Sequence, residues 1–107
     1  MKKVEIFFLR DCPYCVKARK AVDELKSESD HYARVSVAWI DESEEVDYAS
    51  EHDYYFVPSV FYEGKKFFEA HPGDSLEKIK HGIQTAFDKA VYDGPGDKYI
   101  DFARKGM

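Results

Sequence analysis

The chain has two thiols, and both sit in Cys12-Pro13-Tyr14-Cys15, directly after the apolar run Ile6 to Leu9. A disulfide closed over so short a loop restrains the unfolded chain little, so stabilisation is a poor reason for the spacing. Burial as two small hydrophobes does not explain a position between an apolar run and a helical pattern. Structural zinc normally takes four ligands. The chain offers no second Cys-x-x-Cys, and His31, His52, His71 and His81 are scattered, which reads as surface or packing use.

Thiol–disulfide exchange fits better. Cys12 falls at the cap of a helix whose first turn holds Pro13, where a missing N–H costs nothing. Free amides and the dipole at that helix start stabilise a thiolate over a thiol, and a thiolate is the nucleophile. Cys15 lies one turn inward on the same face. It can attack a mixed disulfide formed on Cys12 and release the substrate reduced. Asp11, immediately before Cys12, opposes the anion, while Arg10 and Lys17 are the cations able to offset it.

The elements that must hold this pair follow from periodicity. Residues 2–9 read as a strand buried on both faces. From Pro13, Cys15, Ala18, Val22 and Leu25 recur at helical spacing, with Lys17, Arg19, Lys20, Asp23 and Glu24 outward, ending near residues 26–30. Residues 34–40 form a second strand, Val35, Val37 and Trp39 on one face, with Trp39 a core residue. Residues 41–54 suggest a polar helix with a thin stripe of Val46 and Ala49. Residues 57–70 read as a hairpin turning at Glu63-Gly64. Residues 73–95 are the strongest helix: a capping box of Asp74 and Glu77, a stripe of Leu76, Ile79, Ile83, Phe87, Ala90 and Val91, and a stop at Gly94-Pro95. The order is βαβαββα, an α/β fold with a four-stranded mixed sheet flanked by helices.

Composition sets outer bounds. A chain of 107 residues makes one domain with a single modest core. A formal charge of −5 is the wrong sign for a nucleic-acid binder. Between Ser27 and Phe56 the only Lys or Arg is Arg34; that acidic segment is either a solvated face or a means of steering a charged partner. No stretch approaches the roughly 20 apolar residues of a membrane span. No export signal is visible, so a cytoplasmic location is expected.

With residues 56–67, "FVPSVFYEGKKF", following the CPYC tetrapeptide at a suitable distance, the chain resembles the thioredoxin superfamily and its glutaredoxin branch in particular. The likeness in element order spans residues 2–91. It implies a thioredoxin-like domain over residues 1–92, with 93–107 an extension in which Tyr99, Phe102 and Ala103 could dock. It further implies Cys12 as attacking and Cys15 as resolving cysteine, and Pro58 as a cis proline facing them. Val57 would offer its backbone to an extended substrate, Tyr14 would flank the groove, and Arg10 would meet a glutathione carboxylate. Gly73, Asp74 and Ser75 would hold the other end of glutathione at a helix N-terminus. The implied activity is a thiol–disulfide oxidoreductase, a monomer reducing protein or glutathione mixed disulfides. It would hold no tightly bound cofactor and no metal, use glutathione as co-substrate, and draw electrons from a reductase or a low-molecular-weight thiol. Alternatives are a thioredoxin-type reductase fed by a protein reductase, a dimeric [2Fe–2S] carrier, or a binding module without turnover.

The sequence departs from the glutaredoxin pattern in two places. His71-Pro72-Gly73 stands where a Gly-Gly pair is usual, and Phe56 stands where Thr is usual. Ile6 occupies the place of the buried Asp of thioredoxins. Tyr54, Tyr55 and Phe56 are read either as packing or as a substrate platform.

Overall fold

The computed structural model describes residues 2–94. Strand β1 (Val4–Phe8) leads into helix α1 (Pro13–Glu28), a single helical turn α2 (Asp30–Ala33) and strand β2 (Val37–Asp41). Helix α3 (Val46–Ser50), strands β3 (Ser59–Tyr62) and β4 (Lys65–Glu69), and helix α4 (Leu76–Asp93) complete the chain. The sheet runs β2-β1-β3-β4, with β1 parallel to β2 and antiparallel to β3, and β3 antiparallel to β4. The expected fold class is the observed one. No helix among the described residues is long and apolar enough to cross a membrane.

Alternation along β1 divides the core in two. Val4 and Ile6 face α1 and α4, joining Ala18, Ala21, Val22 and Leu25 on one helix and Ile79, Ile83, Phe87 and Ala90 on the other. Phe7 points to the opposite side and packs with Ile40, Ala49 and Phe61. Both faces of β1 are therefore covered, which is why its sequence is an almost unbroken apolar run. Tyr62 is buried on the larger core and satisfies its hydroxyl by donating to Asp93 at 2.7 Å.

The hairpin turns where expected. Glu63 (φ 51°) and Gly64 (φ 78°) both take positive φ, as the favoured two-residue turn demands. A bulge between Val60 and Phe61 leaves Phe67 without a cross-strand partner. Neighbours on a regular strand face opposite ways; here Phe67 and Phe68 both pack against the larger core.

Several boundaries differ from expectation, each for a local reason. Ser29 accepts the amides of His31 and Tyr32, which starts α2 and delays β2 to Val37. Trp39 is half-buried at the edge of the core, with the Arg19 guanidinium 4.2 Å from its ring, not enclosed. The anticipated helix over 41–54 shrinks to Val46–Ser50 because the Asp41 carboxylate accepts the amide and hydroxyl of Ser43 and bends the chain as it leaves β2. Of its stripe only Ala49 is buried; Val46 is 58% exposed. The capping box on α4 is replaced by Ser75, whose Oγ accepts the Lys78 amide at 3.1 Å. Asp74 instead turns back and accepts the His71 amide at 2.8 Å. Gly94 caps α4. Pro95 and the expected docking of Tyr99, Phe102 and Ala103 lie outside the described residues.

Candidate active site

The site begins where β1 ends. Leu9, Arg10 and Asp11 carry the chain to Cys12, which has extended backbone (φ −86°, ψ 117°) and is the N-cap of α1, with Pro13 in the first turn. The Cys12 carbonyl takes the amides of Cys15 and Val16 at 3.0 and 3.2 Å. Its Sγ also accepts from the Cys15 amide, at 3.3 Å. A sulfur in this place does what a serine or aspartate does at other helix starts, and a negative charge on it would be welcomed by the orphan amides there. The first turn holds no acidic residue to compete.

Cys15 lies one turn further in and is 4% exposed, whereas Cys12 is partly open. Burial, and then the neighbouring Cys12 side chain, push the Cys15 thiol up to about 12. The two sulfurs are therefore unlike: one reachable and amide-bonded, one enclosed and held as a thiol.

The Val57–Pro58 peptide bond is cis. Pro58 is buried at the start of β3, and the Cys12 thiol donates to the Val57 carbonyl at 3.6 Å. Phe7 of β1 pairs with Ser59 of β3, so neighbouring strands carry both partners to the same end of the sheet.

Leu9, Arg10, Asp11, Cys12, Ser43 and Glu44 line a cleft of about 480 Å³. Arg10 is already engaged there. Its Nε donates to Asp41 at 3.2 Å and its Nη2 to Glu44 at 2.5 Å. Asp41 is nearly enclosed, and the Ser43 hydroxyl first, then its amide and Arg10, hold the carboxyl below its usual range. Asp41, Ser43 and Glu44 were missed from sequence, where they fall in the polar helix expected over residues 41–54 and in the acidic segment from Ser27 to Phe56.

Around Gly73 the chain again satisfies itself. The Gly73 amide donates to the Tyr14 hydroxyl at 2.8 Å, and the Asp74 amide to the His71 carbonyl at 3.0 Å. The Lys17 ammonium reaches over to the Asp74 carbonyl at 3.1 Å. The buried Asp74 carboxyl, held low by the His71 amide and by Lys78, adds a negative charge at the place where a bound anion was expected. Ser75 is occupied as the cap of α4. Tyr14 is thus a brace between the cysteine motif and the α4 approach, half-buried against the larger core.

No family model matches the chain, and no curated protein matches it. Among solved structures it is similar to thioredoxin 1 from the thermophilic eubacterium Thermosipho africanus TCF52B. The TM-score is 0.54 over 82% of this chain and 97% of that chain, at 17% identity. The fold is thioredoxin-like. At this identity the likeness speaks for architecture, and the chemistry rests on the site itself. Within the thioredoxin-like frame Cys12, Cys15, Val57 and Pro58 come together, whereas Arg10 and the Gly73 amide are committed to partners of the chain's own.

Proposed function

We propose that the protein is a dithiol–disulfide oxidoreductase in which Cys12 attacks and Cys15 resolves. The observation that carries this reading is the asymmetry of the pair: the Cys12 Sγ at a helix cap with an amide on it, and an enclosed thiol one turn behind. The Cys12 thiolate attacks one sulfur of a substrate disulfide, forming a Cys12–substrate disulfide and expelling the other half as a thiolate, which takes up a proton. Cys15 then gives up its proton and attacks the Cys12 sulfur. The second substrate thiolate leaves, and a Cys12–Cys15 disulfide remains. The substrate has gained two electrons and two protons, which an external thiol or reductase must return to the pair.

Two versions of the activity differ in what supplies those electrons. A glutathione-fed, glutaredoxin-like cycle draws support from the CPYC tetrapeptide. A thioredoxin-type cycle on protein disulfides is favoured by the engaged state of Arg10, Gly73 and Ser75, which gives part of the expected glutathione grip partners within the chain itself. Reduction of hydroxyethyl disulfide with glutathione, set against insulin reduction with a thioredoxin reductase, separates them. We expect the second assay to give the higher turnover.

Replacing the resolving thiol tests the mechanism itself. Cys15→Ser should accumulate substrate as a mixed disulfide on Cys12, visible by mass spectrometry and removed by dithiothreitol. Cys12→Ser should capture nothing. Equal capture by the two variants, or none by either, would sink the assignment of roles.

A further inference from the structure

We propose that Arg19, with the cleft it rims on the β2 flank of the molecule, is a binding site for a carboxylate carried on a short apolar stem. The site goes beyond the oxidoreductase reading and does not depend on it, because its occupancy is measured without turnover.

Arg19 is exposed on α1, one turn beyond Cys15. Its guanidinium carbon lies over the Trp39 ring of β2 at 4.2 Å and over the Phe8 ring of β1 at 5.1 Å. Those two rings meet nearly edge to face, 6.0 Å apart at 86°, so the cation stands in an aromatic corner. Stacking of this kind engages the face of a guanidinium and leaves the N–H groups on its edge. In an acidic chain the ordinary fate of an arginine is a carboxylate of the chain's own. Arg10 follows that course, with Asp41 and Glu44. Asp23 stands four residues along the helix from Arg19, a spacing at which opposite charges meet. Arg19 nevertheless makes no ion pair and no hydrogen bond among the described residues, and rests on the rings alone.

Phe8, Leu9, Arg10, Cys15, Val16 and Arg19 line a cleft of about 260 Å³. Two arginines and no carboxylate face it, in a chain of 16 basic and 21 acidic residues. The larger cleft that shares Leu9 and Arg10 has Asp11 and Glu44 in its wall instead. Val16, 64% exposed, gives the Arg19 cleft an apolar side together with Leu9 and Phe8. A ligand whose charge meets the Arg19 edge and whose stem lies along Val16 answers both features. A carboxylate matches the planar fork of a guanidinium with two parallel N–H···O bonds. The volume falls below the roughly 300 Å³ of drug-sized pockets, so the ligand is of side-chain size: a small free acid or the acidic side chain of a polypeptide. Arg19 stands over β2 and Gly73 follows β4, strands at opposite edges of the sheet, so this is a different place from the approach to α4.

Trp39 is the chain's single tryptophan, and its indole N–H gives one NMR signal beside the site. Reduced full-length protein is titrated at constant ionic strength with butyrate and with its neutral isostere butyramide. Parallel titrations use a capped tripeptide with a central glutamate and its glutamine counterpart. Butyrate or the glutamate peptide should move the signal saturably, with half-saturation on the order of 1 mM, and the neutral compounds should not. Arg19→Gln should weaken binding at least about tenfold, the scale of a lost charge-assisted bond. Arg19→Lys, which keeps the charge and loses the fork, should fall between. The acid that saturates at the lower concentration names the source, and either result supports the site. A drift that butyramide reproduces, or binding undiminished in Arg19→Gln, would overturn it and leave Arg19 as packing for Trp39. The dispersion of the same spectra reports whether each variant is folded.

Discussion

At the scale of single residues, the difference between two sulfurs is the property most open to measurement. Cys15 is enclosed and its thiol is pushed up to about 12, so native protein at neutral pH should take one equivalent of iodoacetamide, on Cys12. The second equivalent should enter only after denaturation, and peptide mapping decides. The cysteine pair and the proline at the helix start were legible because each carries its chemistry in its residue type, whereas the cis proline ahead of β3 was expected only from the family resemblance. Arg10 was legible only as a cation near the site: its partners Asp41 and Glu44 are distant in sequence, and only folding shows that its guanidinium is engaged. Glu69 gave no signal at all, since a carboxylate that clamps two amides thirteen and fourteen residues away looks like any strand-edge glutamate.

At the scale of elements, the packing of β4 on α4 depends on one missing side chain. The Phe68 ring lies over Gly82, and a Cβ there would stand 2.2 Å from the ring's Cγ. Alanine is the better helix former by up to about 1 kcal/mol, but forcing a methyl into a filled space costs roughly 1–3 kcal/mol. Gly82→Ala should therefore lower stability by about 1–2 kcal/mol, seen as a lower urea midpoint with an unchanged slope. Periodicity found α1, β1, the hairpin and α4, where apolar residues recur over several turns or alternate cleanly. Between Ser29 and Ser50 it found β2 and α3 but misplaced their bounds, because side chains of Ser29 and Asp41 bond to nearby backbone and set the path of the chain. Such local bonds compete with regular structure on equal terms and leave no periodic trace. The same competition moved the α4 cap from Asp74 to Ser75.

For the molecule as a whole, stability should have a plateau bounded on both sides by identifiable groups. Asp41, Asp74 and Asp93 are held below 3.8 chiefly by the Ser43 hydroxyl, the His71 amide and the Tyr62 hydroxyl. Burial alone would raise Glu69, yet Lys66 and the Tyr55 and Phe56 amides outweigh it and bring it below 4.5. The folded state binds these protons less readily than the unfolded chain, so their contribution is whole above about pH 5 and is lost as pH falls through the folded-state values. Cys15 has the opposite sign. Raised from 9.0 to about 12, it holds its proton more tightly when folded, so stability drains away as pH climbs across that interval. Burial moves Tyr54 and Tyr62 upward as well, which steepens the alkaline side. Urea midpoints measured from pH 2 to 11 should fall at both ends, and Cys15→Ala should flatten the alkaline fall. The sheet has one more consequence. Because β1 and β3 run antiparallel, the Glu63-Gly64 tip and the sulfurs sit at opposite ends of the central strands. A reporter group or an inserted sequence carried on that tip would ride clear of the reactive end, giving the protein a natural handle for tethering to a surface or sensor.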